Sequence, residues 1–188
     1  MKIGILTNSR APYRIKQINK FCENNNISFN IYYTKKKTDR QWVIEDDCKA
    51  EEIYLKGFEL FRFSKYDTCI NFGIYKAIKN SDLFIIGGYE QPSYLIAAII
   101  CKLTGKKYIL LFDGIQPQKI GTKGNIIKEC IIKFIVNNAA AIFGNGETSK
   151  LYFSKNYGYD IKRIYNQYLT IDTEQIDELY NNRLQIKL

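Results

Sequence analysis

Short apolar runs alternate with longer stretches of helical periodicity along most of this chain. Continuous apolar runs are typical of buried strands in a parallel sheet, and a helix that covers such a sheet repeats its apolar residues every three or four positions. The pattern predicts strands at 2–7, 28–33, 83–86, 107–112, 140–143 and 162–165, and helices at 13–24, 66–80, 93–103, 126–137, 147–157 and 172–182. The predicted fold class is α/β, a Rossmann-like open parallel sheet with helices on both faces, in a single domain.

Two parts of the chain fit this alternation less well. The segments 53–55 and 59–63 are predicted to be short and extended, without a helix between them. Charged residues crowd the segment 34–49 around the only tryptophan, Trp42, and no regular structure is predicted there.

The composition excludes several kinds of chemistry. The 188 residues include no histidine, so Ser-His-Asp and Cys-His nucleophiles and His-ligated zinc or haem are excluded. Acid–base chemistry would have to use Asp, Glu, Lys, Arg, Tyr or Cys. No motif points to a metal site, and none is predicted.

Charge and cysteine usage bear on partners and location. Lys and Arg outnumber Asp and Glu by 28 to 19, giving a net charge of +9. A cationic domain attracts phosphates in nucleic acid, nucleotides or anionic lipid, although a Lys-, Ile- and Asn-rich composition also follows from an AT-rich genome. Five cysteines without a CxxC pair favour a reducing compartment. No signal peptide or bilayer-spanning run is recognised, so we expect a cytoplasmic protein.

Four loops with unusual residues follow predicted strands. Ligands of an open parallel sheet bind beyond the carboxyl ends of the strands, where loops lead into helices, so we expect these loops to meet at one edge. The candidate site residues are Arg10, Tyr13, Arg14, Gly87, Gly88, Tyr89, Glu90, Asp113 and Gly114, with Asn145 and Glu147 as further candidates for the cleft.

Asp113 and the glycine pair each have two interpretations. Asp113 follows five apolar or aromatic residues and is expected to be partly desolvated, which suits a carboxylate that accepts a hydrogen bond from a substrate hydroxyl. Gly87 and Gly88 would let the backbone approach a ligand closely. The alternatives are an Asp-Gly turn at Asp113 and a simple chain turn at the glycines.

The charged candidates also have structural alternatives. Arg10 and Arg14 are predicted to form a fork to a phosphate, or else to be solvated on a basic surface. Glu147 is equally well explained as a carboxylate favoured by the dipole at a helix N-terminus.

Nucleotide and nucleic-acid motifs are absent from the sequence. No GxGxxG follows the first strand and no GxxxxGK[ST] occurs, which excludes the dinucleotide fingerprint and the P-loop. The aromatic residues fall mainly at core-like positions, and no RNA-binding signature is found, so nucleic acid is a disfavoured partner.

Four signatures spread over most of the chain carry a family resemblance. They are ILTN at 5–8 followed by APYR at 11–14, DLFIIGGY at 82–89, CKLTGKKYIL at 101–110, and AAIF at 140–143 leading through YG at 157–158 to IDTE at 171–174. In this order and spacing they resemble the N-terminal domain of GT-B glycosyltransferases, in particular the family 4 group that builds bacterial surface polysaccharides and glycolipids.

The resemblance implies that residues 1–170 form an acceptor-binding Rossmann-like domain and that 171–188 form a terminal helix leading towards a donor-binding domain. The sugar nucleotide would bind that missing half, so no cofactor is expected here, and transfer would proceed with retention. The chain alone is not expected to turn over. By the same resemblance, Asp113 orients the acceptor hydroxyl, Gly87, Gly88, Tyr89 and Glu90 line the acceptor cleft, and Arg14 lies near phosphate.

The chain departs from this family at two places. Asp113 stands where many members have a histidine, and residues 9–12 stand where many have a glycine pair, so contact with a diphosphate there would depend on Arg10.

The expected partners are a sugar or polyprenyl-linked acceptor, a donor-binding domain or subunit, and an anionic membrane surface at the inner face of the plasma membrane. The helix 126–137, with Lys119, Lys123, Lys128 and Lys133 on or near it, would dock on such a surface, although a core-facing amphipathic helix shows the same pattern. The alternative function is a non-catalytic module that binds a partner protein or a carbohydrate.

Overall fold

Strands and helices alternate in the computed structural model, which describes residues 1–24, 26–35, 47–59, 68–122, 124–167 and Tyr180. The strands are β1 (Lys2–Thr7), β2 (Ser28–Tyr33), β3 (Glu51–Tyr54), β4 (Gly57–Glu59), β5 (Cys69–Asn71), β6 (Leu83–Ile86), β7 (Tyr108–Phe112), β8 (Ala141–Gly144) and β9 (Ile164–Asn166). The helices are α1 (Pro12–Asn24), α2 (Ile74–Lys79), α3 (Pro92–Leu103), α4 (Ile126–Asn138) and α5 (Gly146–Tyr157), with 3-10 turns at Pro117–Lys119 and Ile161–Arg163.

Within the described residues, seven strands form a parallel sheet in the order β3-β2-β1-β6-β7-β8-β9. At its centre Ile5 of β1 pairs with Ile31 on one side and with Ile85 on the other. The chain adds strands outward from β1 in one direction, and from β6 in the other. The carboxyl ends of β1 and β6 therefore flank the topological switch point, where open α/β sheets bind their ligands.

The two faces of the sheet are covered unequally. Leu6, Phe84 and Leu110 point towards α2, α3, α4 and α5, and all three are fully buried. On the opposite face, α1 is the one described helix that packs against the sheet, through Ile15 and Ile18. The alternation of side chains along each strand separates these two cores.

The predicted fold class is confirmed, and several elements lie where the sequence pattern places them. The bounds of β1, β2 and β6 agree with the prediction, and α1, α3, α4, α5, β7 and β8 differ from it by one residue at one or both ends. The last strand begins later than predicted, because a 3-10 turn precedes it. The predicted helix 172–182 and the segment around Trp42 lie outside the described residues, as does most of the predicted extended piece 59–63.

The predicted helix at 66–80 is wrong in its first half. Residues Cys69–Asn71 form β5, which pairs antiparallel with β4, and the helix begins only at Ile74, after Gly73 with a φ of +86°. The buried Asn71 side chain donates to the carbonyl oxygens of Thr34 (3.0 Å) and Leu55 (3.2 Å). These contacts with distant residues hold the segment extended and override its helical periodicity.

The apolar helix α3 packs against the sheet, α2 and α4 through Tyr94, Ala97, Ala98 and Cys101, whereas Ile99 and Leu103 are exposed. No helix in the described part of the chain is long and apolar enough to cross a bilayer.

Candidate functional site

Asp113 accepts three hydrogen bonds at the carboxyl edge of the sheet. Its Oδ2 accepts from the hydroxyl of Tyr13 at 2.9 Å, and its Oδ1 accepts from Nη2 of Arg14 at 2.5 Å and from Nε2 of Gln167 at 3.1 Å. These donors come from the first turn of α1 and from the residue after β9, whereas Asp113 itself follows β7. The predicted convergence of the loops after β1 and β7 is therefore found, and Gln167 is an addition to it.

The Asp113 carboxylate is accessible to solvent. Its side chain is 44% exposed, whereas that of Arg14 is 12% exposed. Asp113 is thus partly covered, as predicted, but its carboxylate remains open to solvent. An Asp113 so placed can still accept a hydrogen bond from a ligand hydroxyl, which would exchange with one of the existing donors.

Neither of the predicted phosphate-binding arginines projects alone into the cleft. Arg14 pairs with Asp113 and also donates to Oε1 of Gln17 at 2.9 Å. Arg10 pairs through Nε with Oε1 of Glu52 on β3, at 2.8 Å, and this hydrogen bond raises the pKa of Arg10. The structure therefore does not bring the two guanidinium groups into one fork.

Gly87 and Gly88 are required by contacts within the chain. A Cβ on Gly87 would lie 2.8 Å from the carbonyl oxygen of Leu6. Gly88 has a φ of +148°, and a Cβ there would collide with Oε2 of Glu90. The close backbone approach predicted for this pair is thus an approach to β1 and to a neighbouring carboxylate.

Glu90 folds back on its own loop. Its Oε2 accepts the backbone N–H of Tyr89 at 3.0 Å. Although the residue as a whole is exposed, its carboxylate lies beside Gly88, and the loss of water there raises its pKa, while the charges of Lys119 and Lys128 act in the opposite direction.

Tyr89 begins a chain of phenol groups that the sequence did not reveal. Its ring stacks on Phe112 with centroids 4.6 Å apart, and its hydroxyl lies 3.3 Å from that of Tyr152. The Tyr152 hydroxyl is 3.0 Å from that of Tyr157, which donates to Oε2 of Glu129 at 2.9 Å. Burial raises the pKa of Tyr89 and of Tyr157 far above the usual range, so both phenols are neutral at physiological pH.

The direction of these hydrogen bonds follows from counting protons. Each neutral phenol carries one proton. Tyr157 gives its proton to Glu129, so Tyr152 must donate to Tyr157 and Tyr89 must donate to Tyr152. The Tyr89 oxygen is left with acceptor capacity only, and it would favour a ligand that donates a hydroxyl hydrogen.

The remaining candidates lie on the same edge with different surroundings. Asn145 Nδ2 donates to the backbone oxygen of Asp113 and thereby ties the ends of β8 and β7 together. Gly114 has open space around it, since no atom beyond its chain neighbours lies within 4 Å of the position that a Cβ would take. Glu147 is 75% exposed and pairs with Lys150 at 2.6 Å, which fits its structural alternative, a charge in the first turn of α5.

An apolar groove of about 460 Å³ opens next to Asp113 on the thinly covered face of the sheet. Arg14, Asn166 and Gln167 line its mouth, and Ile109 and Leu111 lie in its floor. No group of three Cys, Asp or Glu side chains suited to a metal ion occurs in the described ranges.

Gln167 could have been found from the sequence if the end of β9 had been placed at Asn166, since it follows a strand as the other candidates do. Tyr152 and Tyr157 carry no such signal, because they lie inside a helix and point into the core.

No protein-family model and no curated protein matches the sequence. Solved structures match its fold. A protein from Listeria monocytogenes assigned as a UDP-N-acetylglucosamine 2-epimerase is 14% identical, with a TM-score of 0.55, over 87% of this chain and 44% of its own. The wall teichoic acid polymerase TagF is 12% identical, with a TM-score of 0.50, over 88% of this chain and 37% of its own.

A third match is the sucrose-phosphate synthase from Thermosynechococcus elongatus, which is 10% identical, with a TM-score of 0.51, over 81% of this chain and 44% of its own. The chain thus spans less than half the length of each of these proteins. At such identities the likeness concerns the fold. The chain has a Rossmann-like α/β fold of the kind found in GT-B enzymes.

Proposed function

We propose that this chain is the acceptor-binding domain of a retaining, sugar-nucleotide-dependent glycosyltransferase of bacterial surface polysaccharide or glycolipid synthesis, and that it needs a donor-binding half for turnover. The observation that carries the proposal is the meeting of Tyr13, Arg14, Asp113 and Gln167 at the carboxyl edge, beside the switch point. Polar groups converging at that place in an open sheet are the default ligand site.

Two further observations support it. The names of the similar structures refer to a sugar nucleotide, a wall teichoic acid and a sugar phosphate, which favours a substrate of the carbohydrate class. The share of those chains that is covered, 37–44%, agrees with one half of a two-domain enzyme.

The acceptor hydroxyl would donate its single hydrogen to Asp113, and a neighbouring hydroxyl of the same sugar would donate to Tyr89. Both groups accept hydrogen bonds, Asp113 as a carboxylate and Tyr89 because its single proton is given to Tyr152. Arg14 holds Asp113 in place and is a positioning residue in this scheme.

The test measures binding by the purified chain of a short polyprenyl-diphosphate-linked sugar and of a panel of UDP-sugars. We expect the acceptor to bind, UDP-sugars not to bind, and Asp113→Asn to weaken acceptor binding about tenfold. Glu147→Gln is the matched control on the same edge and should change nothing. Tighter binding of a UDP-sugar than of the acceptor would overturn the acceptor-side assignment.

Turnover is the second part of the test. The chain is combined with a donor-binding domain or partner subunit and the same panel of donors, and transfer is followed by mass spectrometry. Transfer that Asp113→Ala leaves unchanged would remove Asp113 from the proposed role.

Membrane association at the inner face of the plasma membrane forms part of this proposal. Ile126 and Ile127, at the start of α4, are 80% and 72% exposed, and Lys119 and Lys128 are exposed residues close to them in the chain. Apolar side chains flanked by lysines are suited to an anionic lipid surface.

Co-sedimentation with neutral vesicles and with vesicles containing phosphatidylglycerol tests this. We expect binding to the anionic vesicles alone, lost in Ile126→Ser/Ile127→Ser and retained in Leu103→Ser, which alters an equally exposed residue (81%) at the end of α3. Binding indifferent to lipid charge and salt would contradict the proposal.

A non-catalytic binding module is the second candidate. It is favoured because the charged candidates already form ion pairs within the protein. Arg10 pairs with Glu52, Arg14 with Asp113, and Glu147 with Lys150. Carbohydrate binding without transfer, in every combination with donor-binding partners, would support this candidate.

A further inference from the structure

Another pocket opens at the amino edge of the sheet, where β7 and β8 begin and where α3 and α4 end. Its volume is about 460 Å³, and the charged residues that line it are Lys102, Lys106, Lys107 and Arg163. No Asp or Glu of the described residues is part of the lining, which therefore carries four positive charges. The five residues of β7, about 16 Å long, separate this pocket from Asp113 and the candidate site.

Two of the four cations are held in place by the main chain. Arg163 donates through Nε and Nη2 to the carbonyl oxygen of Ala140, at 3.0 and 2.7 Å, and through Nη2 to that of Ala139, at 2.8 Å. Nζ of Lys106 donates to the carbonyl oxygen of Ser81 at 2.5 Å. Because these acceptors are uncharged, both side chains are fixed in position and keep their full charge.

The other two cations are more accessible. Nζ of Lys102 lies 5.0 Å from the centroid of the Phe134 ring, and Lys102 and Lys107 are both exposed. In the described part of the chain, no salt bridge joins any of the four cations to a carboxylate. Asp82 and Asp160, which lie close to Ser81 and Arg163 in the sequence, accept backbone N–H groups instead, at 2.7 and 3.0 Å.

Helix ends account for part of this charge only. The carboxyl end of a helix carries a partial charge of about −0.5, so the ends of α3 and α4 together offset about one of the four positive charges. About three remain without a counter-charge. A pocket with this excess is suited to an anion that carries several negative charges, such as a diphosphate, rather than to a single carboxylate.

We propose that this pocket binds a soluble small molecule through a phosphate or diphosphate group, with Arg163 and Lys106 as fixed cations and Lys102 and Lys107 as the accessible ones. Its concave shape and volume fall in the range of small-molecule sites. Nucleic acid and lipid headgroups are bound by more extended basic surfaces. The inference is independent of the proposed function, since the candidate site lies at the opposite edge of the sheet.

The test measures binding of inorganic pyrophosphate to the purified full chain by isothermal titration calorimetry, at physiological ionic strength and without divalent cations. We expect one site per chain, with affinity about tenfold lower in Lys102→Gln/Lys107→Gln. This variant leaves Lys106 and Arg163 with their main-chain partners. Lys56→Gln/Lys76→Gln is the matched control, because it removes the same charge from two exposed lysines outside the pocket and should bind like the unaltered chain.

Three outcomes would overturn the proposal. Failure of the unaltered chain to bind pyrophosphate would mean that the four cations only stabilise the helix ends and the main chain. Equal weakening in both double variants would indicate general attraction of anions to a cationic protein. Binding to phosphatidylglycerol vesicles or to a single-stranded oligonucleotide that Lys102→Gln/Lys107→Gln abolishes, and that pyrophosphate does not displace, would assign the pocket to lipid or nucleic acid.

Discussion

Nη2 of Arg14, in the first turn of α1, lies 2.5 Å from Oδ1 of Asp113, the first residue after β7. This ion pair connects the loops that follow two strands of the sheet, and with Tyr13 and Gln167 it sets the shape of the carboxyl edge. Its partners are unequally exposed, at 12% for Arg14 and 44% for Asp113. Charge-assisted hydrogen bonds of this kind are stronger than neutral ones, although solvent reduces their effect.

Replacement of Asp113 by Ala removes the acceptor of three hydrogen bonds. We expect a loss of about 1 kcal/mol in the free energy of unfolding, because the site is exposed and water can replace part of what is lost. Urea unfolding measures the change. Glu147→Ala, which removes an exposed carboxylate from an i,i+3 pair, should cost less than about 0.5 kcal/mol. Equal losses in both variants would contradict a structural role for the Asp113 cluster.

Gly88 is expected to tolerate no side chain. Its φ of +148° is unfavourable for other residues, and a methyl group would displace the Glu90 carboxylate. Gly88→Ala should lower the free energy of unfolding by about 1–3 kcal/mol. Gly114→Ala is the matched control, since Gly114 has open space around the methyl position and no positive φ. A neutral Gly88→Ala would contradict the described loop conformation.

The phenol chain can be broken in its middle. Tyr152→Phe leaves the Tyr89 hydroxyl without its acceptor and the Tyr157 oxygen without its donor, so we expect a loss of about 1–3 kcal/mol in chemical unfolding. Tyr165→Phe, at a 53% exposed tyrosine on β9, is the control and should be near neutral. A Tyr152→Phe variant as stable as that control would mean that the hydroxyl chain contributes nothing.

Buried tyrosines make the protein sensitive to alkali. Burial raises the folded-state pKa of Tyr108, Tyr89 and Tyr157 above the unfolded value of about 10. Below pH 10 both states hold these protons, and above it the unfolded state releases them first, so stability falls as pH rises. Each such phenol contributes up to about 1.4 kcal/mol per pH unit. Tyr108→Phe should make the decline in urea midpoint between about pH 9.5 and 11 less steep, and an unchanged slope would be evidence against this origin.

The cysteines are expected to differ in reactivity according to burial. Cys101 is fully buried, and burial raises its pKa to about 12, whereas Cys130 is exposed on α4. Because the thiolate is the nucleophile, Cys130 should react with a maleimide at about pH 8 while Cys101 stays unmodified until the protein unfolds. Peptide mass mapping with and without urea measures this, and early labelling of Cys101 would contradict its placement in α3.

Hydrophobic pattern predicts the sheet well because the central strands are buried on both faces. The run at β6 is wholly apolar, β1 has an apolar centre between Lys2 and Thr7, and β2 is interrupted only by Asn30, so the bounds of all three strands are recognised in the sequence. The helix predicted at β5 is wrong, because the extended form of this segment depends on the contacts of Asn71 with Thr34, Leu55 and Ser93, residues distant in the chain.

The candidate site is predictable in position but not in pairing. The rule that ligands bind at carboxyl ends brings Tyr13, Arg14 and Asp113 to one edge, where they are found together. The rule cannot predict that Arg10 pairs with Glu52. That pair depends on the position of β3 in the folded sheet, two strands away from β1. An ion pair between residues that are distant in the chain cannot be recognised from the spacing of residues in the sequence.

The hydrogen-bonding character of the Tyr89 hydroxyl depends on a residue of α4. Glu129 belongs to α4 and ends the series of hydrogen bonds that Tyr89 begins, and its carboxylate fixes which way every intervening proton points. An amide at position 129 can donate as well as accept, which would permit the whole series to reverse and would turn the Tyr89 hydroxyl from an acceptor into a donor. Glu129→Gln could therefore change whether Tyr89 binds a ligand hydroxyl or a ligand carbonyl, although residue 129 contacts neither the ligand nor a strand.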